Sequence, residues 1–319
     1  MGEFELIRHY FAAAACARAG GDVVLGIGDD CALLAIPEGE QLAISTDSLV
    51  AGVHFPDPCD AGLLAQRALA VSTSDLAAMG ASPIGFTLAL TLPSATPAWL
   101  AAFAGGLEAM AASCNMRLIG GDTTRGPLSI TLTVFGRTPN GQALLRRGAH
   151  VGDLLCVGGP LGAAAGALPL VLGEQQDTGE DALALLDSYW TPQPQLELGQ
   201  ALRGRATAAL DISDGLLADC GHMAAASEVR LCIEQQQVPL SEALVRRVGH
   251  ERALQCGLTG GDEYVLAFTL PPGELPGLLA EGWPVRLIGH VEAGEGVRLV
   301  DADGKTLPVG RQGYNHFSA

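Results

Sequence analysis

The sequence predicts an α+β protein with mixed sheets, divided into two domains. Its 319 residues exceed the usual length of one domain, and hydrophobic residues make up 48%, enough for two cores. Strand and helix patterns alternate irregularly, and several strand patterns follow one another like hairpins, which favours mixed sheets over a doubly wound parallel sheet. A polar, turn-rich stretch at 139–153 predicts the connection between an N-terminal domain, residues 1–140, and a C-terminal domain, residues 150–319.

The first half is predicted to contain, in order, a helix, a strand–loop–strand unit, an apolar strand that ends at Ser45, Thr46 and Asp47, a helix, a strand, a helix and two strands. Ala-rich or apolar-periodic stretches indicate the helices, while β-branched or alternating apolar runs that stop at glycine indicate the strands. We expect the strand of residues 117–126 to run into a Gly-Gly-Asp loop. The eight ranges are 4–19, 23–36, 41–50, 60–79, 85–92, 97–115, 117–126 and 128–138.

The second half begins with a strand at 154–159 and a helix rich in glycine and alanine. A strand, an acidic loop and a helix follow over residues 208–227, and a loop and a strand over residues 255–270. Short strands and a turn are predicted for residues 284–294 and 297–305.

Charge and cysteine usage narrow the class of partner. The chain has 18 basic and 35 acidic residues, a net charge of −17, so we expect neither nucleic acid nor an anionic membrane as a partner. The long uncharged stretches at 76–107 and 154–173 contain prolines and glycines, so we predict buried core there and no membrane span.

None of the 8 cysteines forms a CxxC pair, which favours free thiols in a reducing cytoplasm over a zinc site or a disulfide scaffold.

Acidic residues recur in small-residue segments after apolar strands. Any one of them alone is typical of a turn or a helix N-cap. Their repetition, together with the hydroxyls of Ser45, Thr46 and Ser213, instead favours binding of a hard divalent cation such as Mg²⁺. The acids are Asp29, Asp30, Asp47, Asp122, Asp211, Asp214, Asp262 and Glu263, with Asp75 on a helix.

The sequence contains no standard phosphate-binding loop. No GxxxxGK[ST] string occurs, and the glycine-rich segment 158–166 is more typical of close helix–sheet packing. Bound phosphates would therefore be neutralised by metal held on aspartates, by backbone N–H groups, and by Arg125, Arg146 and Arg147, unless those arginines only form a solvated surface.

Seven strings in order resemble one enzyme family along almost the whole chain, from about residue 3 to residue 317. They are LGIGDDCALL, STDSLVAGVHF, SDLAAMGA, LIGGDTTRG, DISDGL, TGGDEY and GYNHF. Together they resemble the thiamine-monophosphate kinases, which belong to a superfamily with aminoimidazole ribonucleotide synthetase and selenophosphate synthetase. The resemblance implies an N-terminal mixed sheet with helices that forms a barrel across a homodimer, and a C-terminal α/β sandwich that completes the active site.

The resemblance also implies the chemistry: Mg²⁺-assisted, ATP-dependent phosphorylation of thiamine monophosphate to thiamine diphosphate. Within the last motif either Asp262 or Glu263 would face the substrate, and we predict Glu263. The metal ligands would be Asp30, Ser45, Thr46, Asp47, Asp75, Asp122, Asp211 and Asp214, holding several ions. Gly121, Asp122, Arg146 and Ser213 would bind ATP, and His54, Glu263 and Phe317 would bind thiamine monophosphate.

Two other functions stay open at this point. One is a different ATP-dependent synthetase of the same superfamily, and the other is a non-catalytic, acidic metal-binding protein. For the kinase we predict direct in-line transfer without a general base, because the accepting phosphate is already mostly ionised at neutral pH.

Overall fold

The structure, a computed structural model, describes residues 3–308 and divides into two compact units. The first comprises the residues up to Leu76 together with Ala81–Gly141, and the second comprises Ala77–Gly80 together with the residues from Gln142 onward. Each unit has its own sheet and its own helices, as an α+β fold of two domains requires.

The first unit is built around a mixed four-stranded sheet of strand order β3-β6-β4-β5. β6 pairs antiparallel with both β3 and β4, and β4 pairs parallel with β5. The strands of the first unit are β1 (Val23–Leu25), β2 (Leu33–Leu34), β3 (Glu40–Val50), β4 (Ser82–Leu92), β5 (Arg117–Arg125) and β6 (Ser129–Pro139). β1 and β2 form a separate antiparallel pair. The helices of the first unit are α1 (Glu3–Leu6), a π-helix (Ile7–Phe11), a 3₁₀ turn (Ala15–Ala17), α2 (Ala61–Ala78) and α3 (Pro97–Ser113).

The two faces of this four-stranded sheet differ in character. On one face the central strands carry fully buried apolar side chains, among them Leu132, Val134 and Phe86. The other face, which we call the open face, carries serine and threonine hydroxyls of β3 and β6 and partly exposed apolar residues. Side chains of a strand alternate between faces, so the polar residues of β3 are divided between the two.

α2 begins at a side-chain cap and runs for eighteen residues. Asp60 precedes it and accepts a hydrogen bond from the Leu63 N–H at 2.8 Å, which satisfies one of the unpaired donors of the first turn. Gly62 of α2 and Gly106 of α3 allow the two helices to meet closely, because a Cβ on Gly106 would lie 2.0 Å from the Gly62 carbonyl oxygen.

The second unit is a seven-stranded mixed sheet of order β13-β12-β9-β11-β7-β10-β8 with helices on both faces. Leu155 and Leu210 pack with α7 on one face, while the alternating Cys156 and Ala209 pack on the other. Its strands are β7 (Leu154–Val157), β8 (Ala208–Asp211), β9 (Arg230–Glu234), β10 (Leu266–Leu270), β11 (Arg286–Glu292), β12 (Gly296–Val300) and β13 (Thr306–Leu307). Its helices are α4 (Ala163–Val171), α5 (Glu180–Trp190), α6 (Leu196–Ala201), α7 (Leu216–Ser227), a 3₁₀ turn (Gln235–Gln237), α8 (Glu242–Val248), α9 (His250–Thr259) and α10 (Leu275–Ala280).

The predicted α+β class is confirmed, and two local predictions are wrong. Residues 4–19 do not form one helix but a short α-helix, a π-helix and a 3₁₀ turn. Asp47 and Asp122 do not lie in loops after strands but inside β3 and β5. Both strands extend further because neighbouring strands pair with them along their length, β3 through all eleven of its residues.

No helix among residues 3–308 combines the length and the apolar character that crossing a bilayer demands. All eight cysteines of the chain lie in this range, and each is a free thiol.

Candidate active site

Three oxygen-bearing side chains meet where β3 passes α2. Ser45 and Asp47 share the face of β3 that continues the apolar side of the sheet, since they pair with Val134 and Leu132 of β6. Asp75 of α2 reaches the same place, and the Ser45 hydroxyl donates a hydrogen bond to Asp75 Oδ2. The structure therefore brings together three of the predicted metal ligands, which we call the edge cluster (Ser45, Asp47 and Asp75).

The electrostatics of the edge cluster favour a cation. Burial, followed by the neighbouring negative charge of Asp75, raises the pKa of Asp47 to about 6, against the lowering effect of a hydrogen bond with Ser72. Two carboxylates and a hydroxyl in a partly buried site form a hard oxygen donor set that suits Mg²⁺.

Thr46 lies on the opposite face of β3. Its hydroxyl pairs with the Thr133 hydroxyl at 2.9 Å, and the Ser48 hydroxyl pairs in the same way with Thr131 at 2.7 Å. The Thr46 side chain is therefore on the open face and does not join the edge cluster.

Asp122 is also on the open face, and at the other edge of the sheet. It pairs in register with the exposed Ala89 of β4, so the two side chains share a face. β5 and β3 are opposite edges of the four strands, three strand spacings of about 4.8 Å or roughly 14 Å apart. Within one chain, Asp122 and Asp47 therefore do not converge on one ion.

Gly121 is required by the backbone beside Asp122. Its φ is +152°, and a Cβ there would lie 1.9 Å from the carbonyl oxygen of Leu88. Any side chain would push β5 away from β4, so glycine keeps the backbone close at this point.

A cleft of about 440 Å³ lies next to this edge, within the size range of small-molecule sites. Thr123, Thr124 and Arg125 line it directly after Asp122, opposite residues 92–95 and Leu6. The cleft combines one guanidinium with several hydroxyls.

Asp30 and His54 flank β3 in sequence. Asp30 is exposed in the turn between β1 and β2, where its N–H donates to Asp29 Oδ1 at 2.9 Å. His54 follows β3, and its Nδ1 accepts a hydrogen bond from the Val50 N–H at 3.0 Å. A ring nitrogen that accepts carries no proton, so the neutral imidazole has its proton on Nε2.

The predicted acidic loop of the second unit follows β8. Asp211 ends the strand and is only 5% exposed, while Ser213 is exposed and Asp214 partly so. Gly215 has a φ of +121°, and a Cβ would lie 2.9 Å from the Thr259 backbone, so glycine is needed where the loop enters α7. We call residues 211–215 the acid loop.

Sequence reasoning missed Asp219. Its Oδ2 accepts hydrogen bonds from the N–H groups of Ser213, Asp214 and Gly215, each at 3.0 Å. Burial raises its pKa to about 6, although these hydrogen bonds act against that shift. The signal available in the sequence is an acid in the first turn of a helix, four residues after the Asp-Gly pair, where a side chain can reach back to unpaired N–H groups.

The Glu263 side chain contacts the backbone at the N-terminal end of α4. Its Oε1 accepts a hydrogen bond from the Gly162 N–H at 2.9 Å. Burial raises its pKa to about 8, against the lowering effect of backbone N–H groups at 162, 164 and 165. Glu263 thus fixes the glycine-rich segment before α4, and its role toward a substrate stays a prediction.

Asp262 has a different environment. It adopts a left-handed backbone, φ +67°, as does Tyr264 at +51°, and the Tyr264 hydroxyl donates to Asp262 Oδ1 at 3.0 Å. Non-glycine residues held in this conformation are uncommon and concentrate at functional sites.

Two further predicted residues are placed as follows. Arg146 is exposed, and its carbonyl oxygen accepts a hydrogen bond from the Ser227 hydroxyl at 3.3 Å. Phe317 lies outside the described residues. Each unit therefore carries its own acidic site, the edge cluster in the first and the acid loop in the second.

Comparison with known proteins shows similarity along the whole chain. Residues 28–138 match the family "AIR synthase related protein, N-terminal domain", and residues 150–302 match its C-terminal domain. Thiamine-monophosphate kinase of Escherichia coli strain K12 is 46% identical over 323 aligned residues, covering 99% of this chain and 98% of that protein.

Solved structures agree with these matches. The crystal structure of thiamine-monophosphate kinase from Stenotrophomonas maltophilia K279a has a TM-score of 0.84 and 44% identity, covering 90% of this chain and 92% of that one. The structure of AaThiL complexed with AMPPCP and TMP has a TM-score of 0.81 and 30% identity, covering 91% and 92% of the two chains.

Proposed function

From the premise that the chain belongs to the thiamine-monophosphate kinase family of AIR synthase related proteins, we infer that it transfers a phosphoryl group from ATP to thiamine monophosphate, yielding thiamine diphosphate. This function is supported by the similarity of the chain to known proteins over its whole length. A relative named thiamine-monophosphate kinase is 46% identical, and a similar solved structure holds AMPPCP and TMP. The two acidic sites supply the oxygen ligands for Mg²⁺ that such a reaction needs.

The edge cluster fits Mg²⁺. Its donors are two carboxylates and a hydroxyl, and the mutual repulsion of Asp47 and Asp75 is relieved by a cation between them. We propose Ser45, Asp47 and Asp75 as ligands, joined by Asp30 and the backbone of Thr46, and Asp211 and Asp214 as ligands in the second unit. Bound Mg²⁺ would neutralise the phosphates and the charge that develops during transfer.

The residues of the chain bind and orient the two substrates. Gly121 brings backbone close to ATP, whose phosphates Arg146 would contact. Ser213, exposed on the acid loop, would touch the same nucleotide. The cleft lined by Thr123, Thr124 and Arg125 continues from Asp122 and suits part of a nucleotide in size and polarity. His54 and Glu263, with Phe317, would bind thiamine monophosphate, and the Nε2–H of His54 is a donor suited to a phosphate oxygen.

We propose direct in-line transfer without a general base. The second pKa of a phosphate monoester is about 6, so the attacking oxygen is already ionised at neutral pH and has no proton to lose. The task left to the protein is to hold two anionic groups in line, which is a task of positioning and charge neutralisation.

A homodimer explains two features of the four-stranded sheet. The open face of β3 exposes Leu42 by 42%, Ile44 by 57% and Val50 by 37%, on an edge strand that a second copy can cover. Asp122 on the β5 edge lies far from Asp47 on the β3 edge of the same chain, so we propose that the β5 edge of a partner subunit lies beside the β3 edge and that the partner's Asp122 completes the site around Asp47. The eight free thiols support a reducing compartment, the cytoplasm.

The experiment that tests this function is ADP release with ATP and Mg²⁺ in the presence of thiamine monophosphate, thiamine or no acceptor. We expect release only with thiamine monophosphate, with thiamine diphosphate formed in equal amount and no activity in excess chelator. Equal ADP release with thiamine, or release independent of any acceptor, would contradict the function. A non-catalytic metal-binding protein would release no ADP under any of the three conditions.

A further inference from the structure

A single carboxylate oxygen of Asp219 holds the backbone of the acid loop. The residue is in the first turn of α7 and is 5% exposed, and its Oδ2 accepts three backbone N–H groups at 3.0 Å each. The donors are the consecutive residues Ser213, Asp214 and Gly215, so one oxygen fixes the backbone of more than half of the loop. Hydrogen bonds to an ionised acceptor are roughly twice as strong as neutral ones.

The other side of the acid loop is fixed by backbone pairing. The N–H of Asp262 donates to the Ser213 carbonyl at 2.8 Å, and the N–H of Tyr264 donates to the Ile212 carbonyl at 2.8 Å. These bonds occupy carbonyl groups, whereas Asp219 occupies the N–H groups. The backbone of the loop is thus held on both sides, while the side chains of Ser213 and Asp214 keep access to solvent.

Three consecutive N–H groups around one point form a concave anion site, the kind that binds phosphate in many nucleotide-binding proteins. In this chain a carboxylate of the protein itself fills that site. The N–H groups of Ser213, Asp214 and Gly215 are therefore committed to Asp219 and are not available to bind a ligand.

We propose that Asp219 is a positioning residue that sets the geometry of the acid loop for binding Mg²⁺ and nucleotide. This inference rests on the proposed function, since the loop is where Asp211, Asp214 and Ser213 would meet metal and ATP. The Oδ2 of Asp219 is occupied by the three N–H groups, so we assign Asp219 an indirect role through these residues. Asp219 also lies with Asp214 and His222 in a group that could hold a metal ion, so direct ligation is the alternative that the Asn variant tests. Residues that orient metal ligands in this way typically change metal affinity by about 10- to 100-fold when replaced.

The test compares three substitutions in the full-length protein. Asp219→Ala removes the acceptor, and Asp219→Glu keeps the charge but displaces the oxygen by one methylene. Both are expected to raise the Mg²⁺ concentration for half-maximal activity by about tenfold or more. Asp219→Asn keeps an oxygen at the same place without the charge, and its Mg²⁺ requirement is expected to stay within about threefold of the parent.

A second readout needs no catalysis. The rise in Tm caused by Mn²⁺ alone, and by Mg²⁺ with AMPPCP, is expected to shrink in Asp219→Ala and Asp219→Glu and to persist in Asp219→Asn, because a ligand that binds only the folded protein stabilises it. If the parent shows these shifts but no acceptor-dependent ADP release, the proposed function fails and the inference about Asp219 stands.

Asp153 provides the matched control. It is 6% exposed in the same unit, and its Oδ2 accepts hydrogen bonds from the His150 N–H at 2.9 Å and the Thr207 hydroxyl at 2.6 Å. Thr207 precedes β8 and Asp211 ends it, so Asp153 is at the far end of that strand from the acid loop. Asp153→Ala is expected to lower Tm as Asp219→Ala does, with an unchanged Mg²⁺ requirement.

Three results would overturn the inference. Asp219→Glu with the Mg²⁺ dependence of the parent would show that charge alone matters. Asp219→Asn as impaired as Asp219→Glu would show that the charge of Asp219 is required, as for a direct metal ligand, and not only an oxygen at that place. An Mg²⁺ requirement raised equally by Asp153→Ala would reduce the effect to general loss of stability. The Glu and Asn variants decide the matter even if Asp219→Ala does not fold.

Discussion

Asp47→Asn is expected to lower kcat/KM for thiamine monophosphate by roughly a hundredfold or more, equivalent to a loss of about 2.7 kcal/mol of transition-state stabilisation. The amide replaces a charged residue of the edge cluster that we propose as a metal ligand, beside Asp75. Initial rates at saturating ATP and Mg²⁺ measure the effect. Glu38→Gln, in the exposed turn before β3, is the control and is expected to keep full activity.

The same substitution is expected to leave the metal-free protein at least as stable as the parent. The folded pKa of Asp47 is raised from 3.8 to about 6, so its ionised form opposes folding, and this loss of stability develops as pH rises from about 4 to 6. Above pH 6 the neutral amide removes that penalty. In EDTA at pH 7.5 the Tm of Asp47→Asn should equal or exceed that of the parent. A lower Tm would attribute the loss of activity to misfolding.

Mixing Asp47→Asn with Asp122→Asn is expected to restore activity that neither variant has alone. In a heterodimer one of the two sites would receive both substituted residues, and the other would receive two intact carboxylates. Random assortment makes about half of the dimers mixed, so the mixture should reach about one quarter of the activity of the parent. The measurement is the activity of co-expressed, differently tagged chains, with light scattering to show twice the mass of one chain.

The control for this experiment uses two residues of the same edge. Asp47 and Asp75 lie together in one chain, so a mixture of Asp47→Asn with Asp75→Asn leaves every site with one lesion and should restore nothing. If the mixture of Asp47→Asn with Asp122→Asn recovers no activity, Asp122 acts in a site within its own chain. A monomer at micromolar concentration would contradict the proposed homodimer.

The sequence predicts those parts of the site that depend on local pattern. The apolar run of 208–210 followed by an acid and a glycine correctly indicates a strand that ends at Asp211. The helix over 60–79 is confirmed as Ala61–Ala78, and with it the position of Asp75. Period-two alternation in β3 separates Ser45 and Asp47 from Thr46, but only the register with β6 shows which face is which.

Features that depend on pairing between distant segments cannot be predicted from a single sequence. Asp122 follows two glycines and reads locally as a turn residue, yet pairing with β4 keeps it in an edge strand. The strand order that separates it from Asp47 follows from contacts between distant segments. Asp219 differs, because its partners are only four to six residues away and its place in the first turn of α7 is a local signal in the sequence.

The central claim is that one phosphoryl group passes directly from ATP to the phosphate of thiamine monophosphate. The most direct test is the stereochemical course with ATP that carries an isotopically chiral γ-phosphorus, read from the β-phosphorus of the thiamine diphosphate formed. A single in-line displacement predicts inversion of configuration. Retention would require two transfers through a phosphorylated intermediate and would contradict the account.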